Sequence, residues 1–332
     1  MNRFDLSNNR KQSLADIPES SGVFFFSDGT NILYAGKTGN LKRIISQFLY
    51  SKDPEPKVKA MVESAKVLEW ETKDSLLECL LWQKRVFSST TPLMQSRIRP
   101  YDDYCYLAIK FEEAPFLCIS ENTGTADCYI GPFRDRFFLY DLMEIISEIL
   151  HLPICPQNEY PCERMHNDQC QGFCLQNDNT KLNHLIRQTY LIPTPILVQS
   201  LKTKYEKHYD DLEFEEADRI QWKMVQLRKY YDYLKFFYTA KKMNFILSDA
   251  GGAYQVENGL LTSYTGKEGQ EEKFVVPQEI PYHDSEYLAI DKEQLDEMWI
   301  LYQHANLRKP ELLEEIYAKS LEEGLKLLSK NH

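Results

Sequence analysis

The chain has 332 residues, 43% of them hydrophobic, and a formal net charge of −11. That length suits two or three domains with real cores, and no apolar run approaches the ~18 residues that span a bilayer. Charge is unevenly spread: residues 1–100 hold 15 Lys+Arg against 11 Asp+Glu, and the remainder 24 against 39. The net charge argues weakly against nucleic-acid binding by the whole chain, and phosphate contact, if made, belongs to the first third. An ordinary surface explains the same small surplus equally well.

The N-terminal stretch "MNRFDLSNNRKQSLADIPESSG" is polar and lacks the apolar heart of a signal peptide, so a cytoplasmic location is expected. Two short strands follow, 22–27 and 31–35, joined by a tight turn at Asp28-Gly29. Residues 39–50 suit a helix, "PKVKAMVESA" another, and "KVLEWETK" a strand. "DSLLECLLWQKRVFSS" has helical apolar spacing with Asp74 or Ser75 as its cap. "DDYCYLAIKF", "FLCIS" and "CYIGPF" read as strands, the last leading to a helix at roughly 135–150. A cysteine-rich loop covers 155–174, and 196–240 is the longest helical pattern, interrupted near Asp210. Hairpin-like strands follow 240, and two acidic helices close the chain, around 291–304 and 310–329. The fold class is α/β (α+β), in four segments: 15–100, 101–195, 196–240 and 241–332.

Cys79, Cys105, Cys118 and Cys128 lie among apolar residues and read as buried, inert thiols. Cys155, Cys162, Cys170 and Cys174 differ, falling within twenty polar residues. In a reducing compartment a disulfide framework is the poorer explanation. Four thiolates on one loop can surround a soft metal, and the spacing fits zinc and [4Fe–4S] alike. His166 lies between these cysteines and could replace one as a ligand. Further on, Leu212, Phe214, Ala217, Ile220, Met224 and Leu227 form a stripe at helical spacing. Such a stripe packs a core or docks a partner hairpin, and periodicity alone favours the core.

Taken together, these stretches resemble the N-terminal half of the UvrC/Cho family of bacterial nucleotide-excision repair. Gly22-Val23-Phe24 and Tyr34-Ala35-Gly36 resemble the two halves of the GIY-YIG nuclease motif. "ECLLWQ", "DDYCYLAI" and "YIGPF" follow in the family's order. "CQGFC" resembles the end of its cysteine cluster, and "LEFEEADRI" its UVR motif. The resemblance covers residues 15 to about 245. It implies DNA as substrate, a UvrB-type partner at the hairpin (Leu212, Phe214, Ala217, Ile220) and an iron–sulfur cluster in preference to zinc. It further implies Mg²⁺ wherever the nuclease is active. The family's second, RNase H-like nuclease domain is expected to be absent.

Mapped onto the family's catalytic positions, this chain keeps Tyr34 and Lys37. The other positions carry Phe24 and Phe48 for tyrosines, Ile44 for an arginine, Gln83 for the metal-binding glutamate and Gln95 for an asparagine. Arg43 stands one residue before the arginine position, about 100° away on a helix. A neutral amide is a far poorer Mg²⁺ ligand than a carboxylate. The expectation is a nuclease fold without its chemistry, acting by binding DNA or a partner. The alternatives are an active endonuclease rebuilt around Arg43 or Glu78, and an interaction protein with an unrelated role.

Overall fold

A computed structural model describes residues 1–7, 15–90, 92–94, 101–155, 161–274 and 283–330. They form two compact units: residues 1–99, 244–277 and 296–309 in the first, and 100–243, 278–295 and 310–332 in the second. The stretch 241–332, expected as one C-terminal region, is thus divided between both.

The first unit is built on a four-stranded antiparallel sheet of order β1-β4-β2-β3, from β1 (Asn2–Asp5), β2 (Gly22–Ser27), β3 (Ile32–Thr38) and β4 (Val67–Thr72). The β2–β3 turn closes because the Asp28 carboxylate accepts the backbone N–H groups of Thr30 and Asn31, while Gly29 takes the left-handed conformation. Helix α1 (Leu41–Tyr50) starts where Asn40 Oδ1 accepts the Arg43 N–H at 2.9 Å. Helix α2 (Pro56–Ser64) begins on proline, and α3 (Leu76–Ser89) is capped by Ser75, whose hydroxyl accepts the Glu78 N–H. Leu33, Leu41, Ile45, Met61, Leu68 and Trp70 fill the core against Phe24 and Phe26. A second sheet in this unit is an antiparallel meander, β8 (Phe245–Asp249), β9 (Gly252–Glu257), β10 (Leu260–Gly266) and β11 (Glu271–Lys273).

The second unit holds a sheet of order β12-β7-β5-β6, from β5 (Cys105–Ile109), β6 (Leu117–Ser120), β7 (Cys128–Phe133) and β12 (Leu288–Ala289). Helix α4 (Arg136–Leu150) is capped by Asp135 and buries Leu139, Leu142 and Ile146. The short α5 (Glu163–His166) lies within the cysteine loop, between Cys162 and Cys170, and α6 (Thr180–Ile186) follows it. Helices α7 (Ile196–Asp210) and α8 (Phe214–Ala240) form a hairpin. Two further helices are α9 (Lys292–Arg308), whose residues from 296 belong to the first unit, and α10 (Pro310–Lys330) of the second. Among the described residues no helix is long and apolar enough to cross a membrane.

Candidate functional site

Phe24, Tyr34 and Phe48 come from β2, β3 and α1 and meet as one aromatic cluster. The Phe24 ring stacks on Tyr34 at 6.0 Å and 28°, and Phe48 lies 5.8 Å from the first and 5.1 Å from the second. Phe24 is 1% exposed, and Tyr34, Ile44 and Phe48 pack against the same core. Three positions that the resemblance assigns to hydroxyls or a guanidinium are here packing positions: Phe24, Phe48 and Ile44. Ile44 faces inward because it lies one turn from the buried Leu41 and next to Ile45, whereas Arg43 projects into solvent.

Lys37 sits on β3 opposite Val23. Gln83 lies in the second half of α3, between Trp82, whose ring is 4.7 Å from Phe25, and Lys84. Gln95 lies outside the described residues. Glu78, the other carboxylate near this position, is engaged at the start of α3. One of its oxygens pairs with Lys73 at 3.1 Å and the other accepts the Asp74 N–H at 3.2 Å, so the side chain is spent on the start of α3. Among the described residues no group of three or more His, Cys, Asp or Glu side chains is placed to hold a metal ion. Gln83 offers an amide where a carboxylate would hold a divalent cation.

Cys155, Cys162, Cys170 and Cys174 are all half-buried and none is in a disulfide. Burial pushes the Cys155 thiol up to about 12; a hydrogen bond from the Phe116 backbone opposes this, and the other three cysteines add to it. The Cys174 thiol is raised by burial and by Cys170 and Cys162. The loop thus gathers four thiols that feel one another's charge. The donor set fits a soft metal, whose positive charge would offset the cost of their ionisation. They are not closed into a coordination shell, and neither iron–sulfur nor zinc is selected by the geometry. Of the other cysteines, Cys79, Cys105 and Cys128 are buried as expected, while Cys118 is only half-buried.

The hairpin stripe is split. Ala217, Ile220, Met224 and Leu227 are buried, which places Ala217 and Ile220, expected at a partner surface, among packing residues here. Leu212 and Phe214 are 72% and 52% exposed at the hairpin tip, beside Tyr209, whose ring lies 5.5 Å from Phe214. Leu212 does not continue the helical stripe: at φ 63° it occupies the left-handed turn between α7 and α8.

Residues 20–94 match the family model described as the UvrC-like GIY-YIG domain. This segment is similar to UvrC-like GIY-YIG domains. The UvrABC system protein C of Methanococcus maripaludis is 24% identical over 211 residues, 62% of this chain and 40% of that protein. Those of Caldicellulosiruptor saccharolyticus and Dictyoglomus thermophilum are 24% identical over 281 residues and 27% over 241. They cover 80% and 66% of this chain and 47% and 38% of their own. The chain thus spans less than half the length of these relatives. Among solved structures, a point mutant of the N-terminal endonuclease domain of Thermotoga maritima UvrC, bound to its catalytic divalent cation, is 23% identical. It covers 26% of this chain and 94% of its own, with a TM-score of 0.25.

Two features escape a reading of local sequence. The first is the partnering of basic residues on α3: Lys84 pairs with Glu297 of α9 at 3.0 Å, and Arg85 lies 3.6 Å from Glu272 and 3.9 Å above the Phe274 ring. With its C-terminal contributions the whole unit holds 19 Lys+Arg against 18 Asp+Glu, so the surplus of the first hundred residues disappears. The second is the exposure of Trp222 and Val225 on α8. Only their distance from the buried stripe on a helical wheel could have signalled it.

Proposed function

We propose that the chain is a UvrC-type DNA-repair protein whose GIY-YIG domain has been kept as a scaffold and does not cut. The observation that carries this is the apolar packing of Phe24, Ile44 and Phe48 into or against the domain core. Phosphodiester hydrolysis needs an oriented water, a divalent cation on a carboxylate and positive charge at the scissile phosphate. Phe24 and Phe48 have no hydroxyl to orient water, Gln83 offers an amide, and Ile44 has no charge. Lys37 and the solvent-facing Arg43 remain for phosphate contact.

Within the same reading, Cys155, Cys162, Cys170 and Cys174 hold a [4Fe–4S] cluster that braces their loop, with zinc as the competing occupant. The exposed tip at Leu212 and Phe214 docks a UvrB-type hairpin. Its support is the backbone at Leu212: a left-handed conformation costs a leucine about 1 kcal/mol, glycine would occupy it without strain, and an exposed leucine there gains nothing from folding.

The test is an incision assay on a damaged duplex, with and without UvrB, Mg²⁺ and Mn²⁺, using anaerobically purified protein. The expected result is DNA and UvrB binding without a nick. Nicking that Lys37→Ala abolishes would instead establish an active endonuclease with a rearranged site. A broad visible absorption band and bound iron, both lost in Cys170→Ser, are expected in the same preparation; stoichiometric zinc would replace the cluster in this reading.

A further inference from the structure

On α8, Asp218, Trp222, Val225 and Lys229 follow one another at spacings of four, three and four residues, which places them on one face of the helix. All four are exposed, Trp222 by 45% and Val225 by 49%, while the buried Ala217, Ile220, Met224 and Leu227 occupy the other side. A single exposed apolar residue needs no explanation. Here two adjacent ones are bracketed by opposite charges, an acid four residues before Trp222 and a base four residues after Val225.

That pattern complements itself about its midpoint, between residues 223 and 224. A second α8 laid antiparallel across this face, with a two-fold axis at the midpoint, sets Asp218 against the partner's Lys229 and Trp222 against the partner's Val225. The axis then repeats both pairs. A parallel alignment sets acid on acid and base on base, which is repulsive. Nucleic acid is a poor occupant, because Glu215, Glu216 and Asp218 are exposed along the first turns of this helix. The Lys229 ammonium lies 4.4 Å above the Phe138 ring, which holds it at the edge of the strip.

We propose that this face of α8 pairs two copies of the chain. Phe214, four residues before Asp218, lies on this same face, so a second copy laid on the strip and a hairpin docked at the tip exclude each other.

The experiment is sedimentation equilibrium of the full chain over about a hundredfold range of concentration, at low and moderate salt. The wild type is expected to dimerise. Asp218→Lys and Lys229→Asp should each weaken the dimer at least about tenfold by placing like charges together, and the double reversal should recover affinity to within about threefold. Trp222→Glu should abolish dimerisation, with circular dichroism and melting unchanged because the side chain is exposed. A monomeric wild type, or a dimer indifferent to the single reversals, overturns the proposal. A monomer that binds a UvrB-type hairpin through Trp222 overturns it too and assigns the strip to a different partner. Sedimentation is run without UvrB, so the dimer is read apart from whatever docks at the tip.

Discussion

Phe24 and Gly36 are partners across β2 and β3, and the ring lies so close over the glycine that a Cβ at residue 36 would stand 2.4 Å from Phe24 Cζ. The glycine of the second half-motif is therefore a floor for the aromatic residue of the first, and the contact persists although the hydroxyl is missing. Gly36→Ala should destabilise the protein by about 1–3 kcal/mol, read from urea unfolding, because the buried ring has nowhere to move. Combined with Phe24→Ala, its cost should be markedly less than the sum of the two, since the clash is then gone.

The Lys84–Glu297 pair ties α3 to α9 within the first unit, with side chains only 20% and 16% exposed. Glu297 also accepts the Leu261 N–H at 3.0 Å, so one carboxylate anchors both α3 and the meander. Glu297→Gln should cost about 1–2 kcal/mol in thermal or urea unfolding, because it leaves the Lys84 ammonium partly buried without its counter-charge. Lys84→Met on the Glu297→Gln background should restore part of that loss.

The elements that carry the aromatic cluster were legible in the sequence, two strands around an Asp-Gly turn and a helical stretch at 39–50, whereas the meeting of Phe24, Tyr34 and Phe48 was not. The meander strands were legible too, but not their membership of the first unit. Lys84 and Glu297 are 213 residues apart, and no local periodicity encodes such a pairing. Strand β1 was missed because Asn2–Asp5 is short and mostly polar, and it exists by pairing with β4. The hairpin stripe reads as one apolar face only while the helix is assumed to start before Leu212. Once the chain turns through a left-handed residue there, the stripe divides into a buried part and an exposed tip.

Lys241 carries a pH dependence. Burial lowers its ammonium from the ordinary 10.5 to about 8, against the opposing pull of Glu286 and Asp291, and its Nζ donates to the Glu286 carbonyl at 2.9 Å. The folded state thus releases this proton before the unfolded chain does. Between the two values the unfolded chain binds more protons, so stability rises with pH. Thiols act with the opposite sign in the same range: burial holds Cys79, Cys105, Cys118, Cys128, Cys155 and Cys174 above the ordinary 9.0 at which they ionise in the unfolded chain, so the Lys241 share is read as the difference between wild type and Lys241→Met. That difference in unfolding free energy should rise by about 1 kcal/mol from pH 8 to 9. An unchanged slope in the variant would assign the effect elsewhere.

The two roles of the hairpin separate by substitution. Ile220 is 7% exposed, with Ala217 and Met224 on the same buried face, so Ile220→Ala should destabilise by about 2–4 kcal/mol. Phe214 is 52% exposed and touches only the Tyr209 ring among the aromatic contacts of the described residues, so Phe214→Ala should change stability by less than about 1 kcal/mol. Leu212→Gly should be neutral or stabilising by up to about 1 kcal/mol, because glycine adopts φ 63° without strain. A docking tip predicts the opposite order for partner affinity: Leu212→Gly and Phe214→Ala lose UvrB binding in calorimetry, while Ile220→Ala binds normally at temperatures where it stays folded. If the stable tip variants bind as well as the wild type, the exposed leucine and phenylalanine are ornaments of the turn and the hairpin is a packing element alone.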